Sequence, residues 1–151
     1  MTDGSSPATY HSDCHRIASH AKRHAISAGV ANVFCVTAVI VVVIILPGSH
    51  PFLNALLAVA NVVCAVATLA ISVVLLLDAA LFTLMASYPD ELSGGGAVDD
   101  FLARATLKPL TDTTRPLSQR ISGTKRWMRR QRILVLLSIL AAVLALAANF
   151  A

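Results

Sequence analysis

Charge is missing from two long stretches of this 151-residue sequence. No Lys, Arg, Asp or Glu occurs between His24 and Asp78, and none occurs from Ile133 to Ala151. Only 13% of the chain is charged, whereas 56% is hydrophobic and the mean hydropathy is +0.73. A soluble domain of this length has too little interior to bury so much apolar surface. The composition therefore predicts an integral membrane protein.

Cysteines and catalytic motifs are also scarce. The three cysteines are isolated, with Cys35 and Cys64 inside apolar runs and Cys14 in a polar segment, so the sequence implies no disulfide framework. The 24 polar residues before the first apolar run argue against a cleaved signal peptide. No nucleophile motif, phosphate-binding loop or convincing carboxylate pair is present. We therefore expect neither an enzyme nor a cofactor.

Three apolar runs are long enough to span a membrane: 25–46, 52–85 and 133–151. At about 1.5 Å per residue the first run reaches about 33 Å, against a hydrocarbon core of about 30 Å. Since backbone groups in lipid must be hydrogen-bonded internally, these runs are expected to be helices. The predicted fold is an all-α integral membrane protein with three transmembrane helices and a cytoplasmic loop carrying short amphipathic helices. Its segments are a polar head 1–24, a helical hairpin 25–87, a basic loop 88–132 and a third transmembrane helix 133–151.

The distribution of basic residues predicts the orientation. Three of the twelve Lys and Arg lie in the head, nine lie between Arg104 and Arg132, and none lies in the LPGSHP turn. The positive-inside rule then places the head and loop in the cytoplasm, with the turn and the C-terminus outside the cytoplasmic membrane. The residues expected to anchor the third helix at the membrane surface are Lys125, Arg126, Arg129, Arg130 and Arg132.

The loop divides into several local patterns. YPDELSGGG is predicted to be flexible, and AVDDFLARATL a short helix with Asp99 and Asp100 in its first turn. Thr113 or Thr114 is expected to cap a further helix with Pro116 in its first turn. From there, apolar residues at helical spacing predict an amphipathic helix that continues into the third span.

Polar residues near or inside the apolar runs have alternative interpretations. Asp78 either marks an ion or proton path at mid-membrane or is a hydrated acid where the second helix leaves the bilayer. The pairs His11/His15 and His20/His24, each spaced by four, either bind Zn or Cu or are simply solvated; we expect no metal. The residues expected to hydrogen-bond between helices are Asn32, Thr37, Asn54, Asn61 and Thr68.

The basic half of the loop attracts anions, since Arg104 to Arg132 holds nine positive charges and one negative charge, Asp112. Nucleic-acid binding is not expected, because the basic helix has only one aromatic residue and adjoins the bilayer.

The order of these segments resembles a known family. ASHAKRHAI precedes two tightly connected spans, AALFTLMASYP ends the second, and LSQRISGTKRWMRRQRILVLLSIL enters the third. This layout is similar to the transmembrane effectors of Pycsar antiphage systems, which are encoded beside a pyrimidine nucleotide cyclase. Lys22 and Pro89 match motif positions of that family, whereas His20 stands where the family has an acid. The third segment matches at Leu117, Ile121 and Lys125, with Trp127 roughly replacing a tyrosine.

The resemblance implies an antiviral effector of the cytoplasmic membrane. Such a protein is triggered by cyclic CMP or cyclic UMP from a partner cyclase, impairs the membrane and kills the infected host. Homo-oligomers in the lipid bilayer are expected. The residues implied as nucleotide ligands are Arg104, Lys108, Arg115, Arg120 and Trp127. Two alternatives stay open: a phage holin that perforates the membrane without a ligand, and an accessory subunit of a larger membrane complex.

Overall fold

The computed structural model describes residues 7–45, 51–105 and 116–148. Within these ranges the chain is helical apart from short turns and contains no β-strand. Its helices are α1 (Pro7–Ile45), α2 (Pro51–Met85), α3 (Glu91–Arg104) and α4 (Leu117–Ala147). The predicted all-α class is confirmed.

Helices α1, α2 and α4 are long and apolar enough to cross a membrane, over Thr9–Ile44, Pro51–Met85 and Leu117–Ala147. Candidate spans are thus confirmed at all three apolar runs. The polar head from Pro7 onward is the beginning of α1. Helix α4 is continuous, which confirms that the helix predicted after Pro116 runs into the third apolar run.

Helix α3 corrects the prediction for the glycine-rich segment. Predicted to be flexible, Gly94, Gly95 and Gly96 lie inside the helix, which begins at Glu91 rather than at Ala97. The Asp90 side chain is the N-cap and accepts a hydrogen bond from the Ser93 N–H at 2.8 Å. An N-cap of this kind satisfies a backbone donor that would otherwise lack a partner, so the helix starts in spite of the glycines.

The chain forms two compact units. Unit 1 comprises Met1–Arg23 and Leu75–Arg126, and unit 2 comprises His24–Val74 and Trp127–Ala151. The buried core of unit 1 is built around Tyr10, Cys14, Ile17, Phe82, Met85, Val98 and Leu117. Since α1, α2 and α4 are continuous, each contributes residues to both units.

Unit 2 buries polar side chains together with mostly small apolar ones, and it exposes many large apolar side chains. Asn61 is 1% exposed and Gln131 0%, whereas Phe34 is 72% exposed and Leu136 64%. Water would favour the opposite arrangement, and lipid favours this one. The packing of unit 2 therefore agrees with the candidate spans.

Candidate functional site

Three carboxylates of α2 and α3 contact the first turns of α4 in unit 1. Their partners on α4 are spaced three and four residues apart and so share one face of the helix. These six residues form what we call the α4 clasp: Asp78, Glu91, Asp99, Leu117, Arg120 and Thr124.

Glu91 caps the N-terminus of α4 from another helix. Its Oε1 accepts a hydrogen bond from the Leu117 N–H at 2.6 Å. The first N–H groups of a helix lack internal acceptors and carry partial positive charge, so a carboxylate is favourable there. The caps predicted from sequence, Thr113 or Thr114, lie outside the described residues.

The central contact of the clasp is an ion pair between Arg120 and Asp99. Arg120 Nη2 lies 2.9 Å from Asp99 Oδ1, and each side chain is only 13% exposed. Two charges so far removed from water interact strongly, and loss of one leaves the other desolvated. Removal of either partner should therefore cost more than it would at a surface ion pair.

Asp78 forms the third contact of the clasp. The Thr124 hydroxyl donates to Asp78 Oδ2 at 2.8 Å, and Asp78 is half-buried. The sequence offered a mid-membrane acid or a hydrated acid at the helix end for this position. The structure gives Asp78 a defined partner within unit 1, and its depth in a bilayer stays a prediction.

The residues proposed as nucleotide ligands are in different situations. Arg104 pairs with Asp100 at 2.7 Å on the exposed face of α3, whereas Arg120 is engaged in the clasp. Trp127 is half-buried, and the Arg130 guanidinium lies 5.0 Å from its ring centre. The other two, Lys108 and Arg115, lie outside the described residues.

The basic residues predicted to anchor α4 are all exposed: Lys125, Arg126, Arg129, Arg130 and Arg132. Exposed charge suits contact with water or lipid headgroups.

Two of the N-terminal histidines contact backbone carbonyls. His11 Nδ1 lies 3.0 Å from the Ala86 oxygen, and His24 Nε2 lies 3.0 Å from the Met128 oxygen. In the part of the chain that the structure describes, no group of three or more His, Cys, Asp or Glu is placed to hold a metal ion.

Unit 2 contains a row of buried neutral polar residues, which we call the polar seam. Its helices contribute Asn32 from α1, Asn54, Asn61, Thr68 and Ser72 from α2, and Gln131 and Ser138 from α4. Asn61 Nδ2 donates to the Ser138 carbonyl at 3.1 Å, and Gln131 Nε2 donates to Ser72 Oγ at 2.6 Å. These bonds join α2 to α4 inside the unit.

Sequence reasoning missed the α4 side of the seam, although a signal was present. Buried residues recur every seven positions along α4, as Leu117, Thr124, Gln131, Ser138 and Ala145. A seven-residue repeat is the packing pattern of helices that wind around each other. Following that repeat along α4 from Leu117, rather than scoring apolar content, leads through Thr124 to Gln131 and Ser138.

Comparisons with known proteins give no relative. No family model matches the chain, and no curated protein or solved structure matches it either.

Proposed function

We propose that this chain is an antiviral membrane effector: binding of a cyclic pyrimidine nucleotide makes it impair the cell membrane and kill the infected cell. The resemblance of its segment order and motifs to the Pycsar effectors suggests this role. The observation that carries the proposal is the α4 clasp. It holds the basic beginning of a helix whose remainder is apolar enough to cross a membrane.

The chemistry of the clasp suits an anionic trigger. A cyclic nucleotide carries one phosphate charge, and a guanidinium binds phosphate oxygens in the same geometry in which it binds a carboxylate. A phosphate at Arg120 competes with Asp99. Because α4 is one continuous helix from Leu117 to Ala147, release of its first turns is transmitted along its axis.

The remaining features of the proposal follow from charge and composition. The head and basic loop lie in the cytoplasm where the nucleotide is made, and the C-terminus lies outside. The protein acts as a homo-oligomer in the bilayer, catalyses no reaction and uses no cofactor. The anchor residues defined above hold α4 at the cytoplasmic surface.

Release of entrapped dye or of K⁺ from liposomes tests this function. Purified full-length protein is reconstituted and exposed to cyclic CMP, cyclic UMP, cyclic AMP or no nucleotide. We expect release with one cyclic pyrimidine nucleotide only. Release without any nucleotide would instead favour the holin alternative, and no release by verified, inserted protein would leave the accessory subunit.

Two carboxylates provide a matched pair of variants for the same assay. Asp99→Asn weakens the clasp but leaves Arg120 able to bind phosphate, so release should need less nucleotide. Asp13→Asn makes the same change in charge at an exposed ion pair with Arg16, away from the proposed nucleotide ligands, and should leave the dose response unchanged. In Arg120→Gln the amount of release should be the same with and without nucleotide. Equal responses from all three variants would contradict a role for the clasp.

A further inference from the structure

We propose that the polar seam of unit 2 is a water-filled path that conducts small monovalent cations when the effector is active. This inference rests on the proposed function and adds the route and the permeating ion. It starts from the polar atoms of the seam that have no protein partner, and from the chemistry of those atoms.

The first observation is that the seam is only partly satisfied by protein groups. Asn32 is 5% exposed, and neither its amide nitrogen nor its amide oxygen has a hydrogen-bond partner among the described residues. The same holds for four oxygens, those of the side chains of Asn61, Thr68, Gln131 and Ser138. Buried polar groups without partners are unfavourable, and in lipid the natural remedy is water.

The second observation is that most of these free atoms are oxygens, and the hydrogen bonds explain why. The amide nitrogens of Asn61 and Gln131 donate to the carbonyl oxygens of Ser138 and Thr68, which can only accept. The amide oxygens must therefore point elsewhere. Oxygen lone pairs stabilise hard cations by replacing part of their hydration shell, as in cation-conducting channels.

The third observation is that unit 2 has room for water beside the seam. A groove of about 290 Å³ lies between α1 and α2 and is lined mostly by apolar residues, among them Val33, Val66 and Leu69. Its polar side is formed by Asn32 and Thr68, whose side chains carry polar atoms without a protein partner among the described residues. At roughly 30 Å³ per water molecule, the groove has room for water on that side. The seam itself consists of neutral side chains, which suits monovalent rather than divalent cations.

Ion flux with substituted seam residues tests the path. Full-length protein in liposomes is assayed for K⁺ flux with cyclic CMP and with cyclic UMP, and the reversal potential is measured in a KCl gradient. We expect the reversal potential to shift toward the equilibrium potential of K⁺. Asn61→Leu keeps the number of side-chain heavy atoms and Gln131→Leu shortens the side chain by one, and both remove the amide oxygen and nitrogen. Each should lower K⁺ flux by roughly tenfold, the effect of losing one good polar contact.

Val63→Leu is the matched control, because Val63 lies on the exposed face of the same helix and is 62% exposed. It should leave the flux unchanged. If Asn61→Leu does not fold, Asn61→Asp retains the side-chain oxygen, replaces the amide nitrogen by a second oxygen and adds charge, and it should increase selectivity for K⁺ over Cl⁻. Anion selectivity, or unchanged flux in both leucine variants, overturns the inference while leaving membrane disruption intact.

Thiol labelling separates this inference from the proposed function. In a background with the three native cysteines replaced by alanine, Ser138→Cys places a thiol in the seam and Leu136→Cys places one on the 64% exposed face. A charged methanethiosulfonate reacts only with thiolates, which need contact with water. Labelling of Ser138→Cys without labelling of Leu136→Cys supports a water-filled path. This holds even if no nucleotide causes flux, because absence of nucleotide-dependent flux refutes only the proposed function. Equal labelling or none overturns the path.

Discussion

Replacing Gly94 by alanine should test the packing of α3 in unit 1. A Cβ atom at this position would contact the Tyr10 hydroxyl and would lie 2.9 Å from the Met85 carbonyl oxygen. That oxygen also accepts the Tyr10 hydrogen bond, at 2.8 Å. A Cβ at Gly96, two residues further along the same helix, would meet nothing within 4 Å. The two glycines therefore form a matched pair.

The two alanine substitutions should change the free energy of unfolding in opposite directions. Alanine stabilises a helix by about 1 kcal/mol relative to glycine, and Gly96→Ala should gain this in full. At Gly94 the same gain is opposed by overpacking, about 1–3 kcal/mol, and by disturbance of the Tyr10–Met85 hydrogen bond, about 0.5–1.5 kcal/mol. Gly94→Ala should thus be destabilised by about 0.5–3.5 kcal/mol overall.

Denaturant unfolding of the full-length protein in detergent, followed by helical circular dichroism, measures the difference. Adding Tyr10→Phe to Gly94→Ala removes the hydroxyl contact and should recover part of the loss, while contact with the Met85 backbone remains. If Gly94→Ala proves as stable as Gly96→Ala, the close approach of α3 to the end of α2 is wrong.

Two further predictions concern charge in unit 1. Hydrogen bonds from the Ser93 backbone lower the pKa of Asp90 below its usual value of 3.8. The ionised Asp90 cap therefore stabilises the fold above pH 3.8, and this stabilisation is lost as the pH falls through the lower pKa of the folded protein. When unfolding is followed at decreasing pH, Asp90→Asn should not show this loss of stability. Separately, Arg120→Gln should cost about 3 kcal/mol because it removes the cation of a mostly buried ion pair with Asp99. Arg104→Gln, at an exposed pair, should cost less than about 1 kcal/mol in the same unfolding experiment.

The sequence predicted the long helices well because the relevant signals are local. Length, apolar content and the absence of charge define each apolar run without reference to the rest of the chain. The same applies to α4, where helical spacing after Pro116 predicted a helix continuous with the third run. Local signals misled at Gly94–Gly96, where glycine propensity indicated flexible chain and the Asp90 cap together with packing against Tyr10 and Met85 favours helix.

Contacts between distant residues account for what sequence reasoning missed. Glu91 and Leu117 are 26 positions apart, and Asp78 and Thr124 are 46 positions apart. Nothing in the local sequence of a carboxylate tells which helix end or hydroxyl it will meet. Acids that individually suggest surface charge become a clasp only when α2, α3 and α4 come together.

The sequence by itself determined that the chain is helical and that three of its segments are apolar enough for lipid, since both properties depend on residues adjacent along the chain. The tertiary structure decided which polar groups are satisfied. It paired Arg120 with Asp99 and left side-chain oxygens of the seam without protein partners. Hydrogen bonding and desolvation depend on distances of a few ångströms between separate helices, and those distances are set only by packing.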